Sequence, residues 1–220
     1  MSSAFEILKK DIRSEIRTKY IFNSLLMFVV VTIAIIRFST GDDEISSDAL
    51  SGMLWIVIFF SLSGGLSRIF VKEEEKETAT ALKLSTDGIN VYTGKLLFNL
   101  FISFLLNVII IVLFIGATNL TIKNYTAFLI VIFLGSCGLV STSTIIASII
   151  AKANSKGMLF PVLSFPILLP LLVVVTNATK LAVNGVATSQ LYSDFMLIIS
   201  FTVIITVLSL MLFKFIWEDI

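Results

Sequence analysis

Long apolar runs separated by short polar ones leave this chain few ways to fold. Ile21–Phe38, Ser51–Val71, Leu96–Ala117, Thr126–Ala151, Met158–Thr176 and Phe195–Ile216 each approach the roughly 20 residues that cross a bilayer core as a helix. A soluble domain of 220 residues could not hide a composition that is 57% hydrophobic, with a mean hydropathy of +1.02. Backbone polar groups in lipid must be satisfied within the segment, so the predicted class is all-α integral membrane. About six spans over residues 1–220 form one transmembrane domain and leave no room for a soluble one.

An even number of spans puts both termini on one side, and basic residues identify that side. Lys9, Lys10, Arg13, Arg17, Lys19, Arg68, Lys72, Lys76, Lys83, Lys95, Lys152, Lys156 and Lys214 fall in one set of flanking segments. Only Arg37, Lys123 and Lys180 fall in the other. The positive-inside rule makes the first set cytoplasmic. The net charge of +1 offers no basic excess for nucleic acid.

The longest interruption between spans, residues 72–95, is also the most charged. It opens with a Lys/Glu block containing Glu73, Glu74, Glu75 and Glu77, continues through the helix-favouring ATALKL with Leu82 and Leu84, and breaks at Asp87-Gly88. This reads as a short surface-lying helix and a turn, placed where a soluble partner can press on it. Ahead of the first span, residues 4–20 set Phe5, Leu8, Ile12, Ile16 and Tyr20 on one helical face and Lys9, Arg13 and Arg17 on another. That is the pattern of an amphipathic helix lying in the headgroup region. The alternative is a solvated helix continuous with the first span. The segment has no short apolar core ending at a small-residue cleavage site, so no cleavable signal is expected.

No Asp, Glu, Lys or His lies near the middle of any span; Arg37, Arg68 and Lys214 sit near ends. The bundle is expected to be free of buried charge, and its work to be powered from outside the membrane. Gly135, Ser136, Gly138 and Ser141–Thr144 make the fourth span rich in small residues, suited to close helix packing or to lining a pathway. Gly64-Gly65 has the same two readings. Asn99 and Asn107 lie on similar sides of the third span; bonding to a neighbouring helix is favoured over lining a route. Pro161, Pro166 and Pro170 all fall in the fifth span, where each removes a helix hydrogen bond and a bend is expected.

Catalysis is not expected of this chain. It has no histidine, so neither a Ser/His/Asp triad nor a histidine metal site can form, and it has no GxxxxGK[ST] phosphate loop. Its single cysteine, Cys137, has no intrachain partner for a disulfide.

Several of these stretches resemble a known family. The amphipathic first helix, the six spans and the charged first cytoplasmic loop look like an ABC type-2 export permease, and within that group like the B-type permease of cytochrome c maturation, CcmB. The resemblance is carried by Gly52–Trp55 opening the second span, by Arg68–Phe70 closing it, and by Glu73–Glu77 with Leu82 and Leu84. It continues through Lys95 and, most specifically, through the Lys152–Leu172 run with Pro166 and Pro170. The family loop often has an Asp/Glu-Gly pair before its Leu-rich part and a proline after it; Thr78-Ala79 and Ser85-Thr86 stand there instead.

The resemblance implies a permease subunit in the bacterial inner membrane that works with three partners. These are an ABC ATPase carrying ATP-Mg, a tryptophan-rich haem-handling membrane subunit, and a periplasmic haem chaperone. Glu73, Glu74, Glu75, Glu77, Leu82 and Leu84 would then form the ATPase-coupling loop. With only Trp55 and Trp217 and no histidine, this chain lacks the usual haem ligand, so haem is expected to be handled by the complex and not bound by this chain alone. A type-2 exporter of lipid, peptide or drug, or a scaffold that transports nothing, would have the same general architecture.

Overall fold

The computed structural model describes residues 2–40, 45–66, 69–70, 73, 82, 86–151 and 159–218. Among them every regular element is helical: α1 (Ser2–Thr18), α2 (Tyr20–Thr40), α3 (Ser47–Leu66), α4 (Gly88–Thr118), α5 (Tyr125–Ala151), α6 (Leu159–Val183), a short 3-10 turn at Thr188–Leu191, and α7 (Tyr192–Glu218). Six of these helices are long and apolar enough to cross a membrane. Their outward faces stay apolar, with Phe28, Ile56, Val112, Val173 and Leu212 among the exposed side chains, as lipid contact requires.

At the centre stands α5, packed against α3, α4, α6 and α7. From Gly138 to Ser148 it is buried around its whole circumference. Its small residues make that possible. A Cβ on Gly135 would run into the Trp55 indole and come within 2.8 Å of Val175, and one on Gly138 would lie 2.9 Å from both Leu171 and Thr202. Lipid gives helices no hydrophobic reason to associate, so close packing and interhelical hydrogen bonds must hold them together. Trp55 Nε1 donates to Thr179 Oγ1 at 2.8 Å, joining α3 to α6. Thr206 Oγ1 donates to Ser141 Oγ at 3.1 Å, joining α7 to α5. Asn99 and Asn107 bond to α5, as their favoured reading has it, through Thr144 Oγ1 (2.8 Å) and Ser136 Oγ (2.6 Å).

Several boundaries differ from the sequence expectation: the second span ends as a helix at Leu66 and not at 71, and the sixth starts at Tyr192 and not at 195. The third span starts at Gly88 and not at 96, so residues 88–95 are the first two turns of α4 and not loop. At 31 residues and about 1.5 Å per residue this helix is about 46 Å long, more than the ~30 Å apolar core needs. The fifth helix continues past 176 to Val183, because Ala178, Thr179, Ala182 and Val183 bury their small side chains in the bundle. The second starts at Ser47 and not at 51. Pro166 and Pro170 lie inside α6, which remains one helix from Leu159 to Val183, and Pro161 falls in its first turn.

Candidate functional site

Both described ends of the charged segment meet the bundle at one end of the molecule. Local backbone structure prepares that end. α1 stops where Lys19 takes a left-handed φ of 51°, a conformation uncommon for a lysine. The chain restarts as α2 under a cap supplied by α1 itself: Glu15 Oε1 accepts the Phe22 N–H at 2.9 Å. α1 therefore folds back beside the bundle instead of continuing into the first span, and it packs along α4.

The α1 face that meets α4 carries Ala4, Ile7 and Asp11, all buried, and Glu15, buried as well, turns to α2. Gly94 allows the approach, since a Cβ there would lie 2.9 Å from the Ala4 carbonyl oxygen and 2.8 Å from Ile7 Cβ. Phe5 and Ile16, from the expected apolar stripe, point outward at 66% and 67% exposure, next to the exposed basic stripe of Lys9, Arg13 and Arg17. Leu8 and Ile12 lie half-buried between the two faces.

Beneath Asp11 sits Lys95, which is 1% exposed. Its ammonium donates to Glu73 Oε1 at 2.7 Å and lies 2.9 Å from Asp11 Oδ2, an ion-pair contact without hydrogen-bond alignment. Lys10 reaches the same Glu73 oxygen at 2.8 Å from the solvent side. Two cations and two carboxylates thus form a neutral cluster joining α1, the start of the charged segment and α4. The expectation of a bundle without buried charge is corrected here. Lys95 is buried in the second turn of α4, where its ion pairs with Glu73 and Asp11 offset its desolvation.

A second anchor is aromatic. Phe70, just before the charged segment, and Tyr92, in the first turns of α4, both pack on Phe213 of α7, at ring-centroid distances of 5.6 and 5.1 Å. Phe213 stacks on Trp217 at 5.4 Å, and Gly88 lies against that indole, where a Cβ would be 2.9 Å from Trp217 Cδ1. At the opposite end of the molecule, Lys180 pairs with Asp48 at 2.5 Å and Asn184 Nδ2 donates to Asp48 at 3.2 Å, tying α6 to α3.

Of the six residues assigned to the coupling loop, Glu73 lies in the ionic cluster, and Leu82 is half-buried with its carbonyl accepting the Thr86 N–H at 3.2 Å. Glu74, Glu75, Glu77 and Leu84 lie outside the described residues. Of the three prolines, Pro166 and Pro170 are interior to α6, and Pro161 is placed by its backbone alone. Sequence reasoning missed the roles of Asp11, Tyr92 and Phe213. The one available signal was Asp11, an acid on the flank of a basic amphipathic helix. Among the described residues no group of three His, Cys, Asp or Glu side chains is placed to hold a metal ion.

No curated protein matches the chain. The family described as CcmB protein matches residues 2–215, taking in α1, the charged segment and all six long apolar helices. The chain therefore belongs to the CcmB family, the multi-pass membrane component of the haem-export and cytochrome c maturation system.

Proposed function

We propose that this chain is the permease subunit that couples ATP hydrolysis on a separate ABC subunit to haem delivery and release of the haem chaperone. The two-point fixing of the charged segment carries this reading. A loop that only linked two spans would need no buried ion pair. Here Glu73 is held by Lys95 and Lys10, while Phe70 and Tyr92 grip Phe213. A push on Glu73 or Phe70 is passed to α1, α4 and α7.

The basic residues favour a cytoplasmic position for this end, with both termini there and the membrane being the bacterial inner one. Glu74, Glu75, Glu77 and the leucines dock the ATPase, and Glu73 transmits. Haem passes through the complex and is not ligated by this histidine-free chain alone; a tryptophan-rich membrane subunit and a periplasmic chaperone handle it, and ATP-Mg stays on the partner. The test separates docking from transmission. Reversing charge at Glu74, Glu75 and Glu77 should lower co-purification of the ATPase. Glu73→Gln should leave the ATPase bound and hydrolysing while cytochrome c assembly fails. Normal assembly in both variants, at wild-type membrane abundance, refutes the reading.

A further inference from the structure

The contact between α4 and α5 contains more polar groups than one register can pair. Asn99 meets Thr144 and Asn107 meets Ser136, so facing positions in this antiparallel pair sum to the same number and Ser103 lies opposite Val140. Ser103 is fully buried, and its hydroxyl has no partner among the described residues. A buried hydroxyl without a partner in a membrane interior is costly, and a facing valine offers it none.

A slide of four residues, about 6 Å, toward the Gly88 end gives it a partner. Ser103 then faces Thr144, Asn99 faces Ser148, and Asn107 takes the place opposite Val140. Ser136, Thr144 and Ser148 suit both arrangements in one respect. Each donates its own proton to an α5 carbonyl (Ile132, Val140 and Ile145 respectively), leaving a lone pair for whichever α4 group arrives. A slide the other way pairs only Ser103 with Ser136 and sets both asparagines against Val140 and Ile132. The α7 side repeats at the same interval: Tyr92 on Phe213 would move one turn along to Trp217, which already stacks on Phe213.

We propose that α4 is a two-register element, held by the pairs 99–144 and 107–136 in one state and by 99–148 and 103–144 in the other. Its drive by nucleotide rests on the coupling reading above; the existence of two registers does not. α1 travels with α4, because Asp11 contacts Lys95 and Ile7 packs against Gly94.

The experiment is disulfide trapping in native membranes containing the whole complex, with Cys137→Ser as background. Ser103→Cys with Val140→Cys reports the present register and serves as the folding control. Asn99→Cys with Ser148→Cys reports the shifted one. The 103/140 pair should cross-link at rest and the 99/148 pair on addition of ATP. Ser136→Ala, which removes a bond found only in the present register, should raise the 99/148 yield about threefold, and Ser136→Thr should restore it. A 99/148 cross-link that responds to Ser136→Ala but not to nucleotide supports the two registers and overturns the coupling reading. Efficient 103/140 cross-linking with no 99/148 product under any condition overturns the proposal.

Discussion

Lys95 shows how one side chain can hold an assembly point together while being useless alone. Its burial is tolerable only because Asp11 and Glu73 face it. Replacing it with Ala leaves two carboxylates together without their buried cation, and breaking such a pair costs about 3–5 kcal/mol. Lys10→Ala removes a half-exposed cation and should cost no more than ~1 kcal/mol. Thermal denaturation in detergent should therefore rank Lys95→Ala far below Lys10→Ala, with Lys95→Met/Asp11→Leu/Glu73→Gln recovering much of the loss. Equal melting of the two single variants would show that the cluster holds nothing. Gly135 makes a steric counterpart. A methyl there meets a rigid, buried indole, so Gly135→Ala should cost about 1–3 kcal/mol through overpacking, whereas Gly116→Ala, which meets nothing within 4 Å, should be silent.

At the level of elements, α1 divides its surface three ways: a mixed face on α4, an exposed apolar edge at Phe5 and Ile16, and a basic stripe. That division fits a helix seated at the headgroup boundary beside the bundle. A nitroxide at Ile16 should be quenched by lipid-soluble oxygen more than by an aqueous nickel chelate, and one at Arg13 the reverse. The same preference at both sites would leave α1 in solvent. The amphipathic pattern was legible because the 3.6-residue period is local. Which face packed was not, since the Ala4–Glu15 face gains its value from Gly94 and Lys95 on another helix. The six spans were equally legible, because hydropathy alone decides them. Their ends were not: the turns of α4 from Gly88 to Lys95 are polar enough to read as loop and are held helical by α1 and Trp217. Asn177–Val183 misled for the same reason in reverse, its polar Thr179 being buried against Trp55.

For the molecule as a whole, the two ends are built differently. The Gly88 end is joined by ion pairs and ring contacts that converge on Phe70, Glu73 and the first turns of α4. At the far end Asp48, Lys180 and Asn184 tie α3 to α6, Lys123 and Asn124 bond their N–H groups to the Val183 and Ala182 carbonyls, and Trp55–Thr179 extends the α3–α6 link inward. α3 and α6 thus form a frame around α5, and a slide of α4 with α1 has to be taken up at the 119–124 connection and at the Lys19 break, where the Glu15 cap on Phe22 is given up. A bis-thiol reagent of lysine length joining Asp48→Cys to Lys180→Cys replaces an exposed pair worth about 0–1 kcal/mol and locks parts that do not move relative to each other. It should leave cytochrome c assembly near the wild-type level. A disulfide at Ser103→Cys/Val140→Cys locks α4 to α5 and should abolish assembly, with reductant restoring it. Loss of assembly from the 48/180 lock would place the motion in the frame itself, and wild-type assembly with α4 locked would remove that helix from the working cycle.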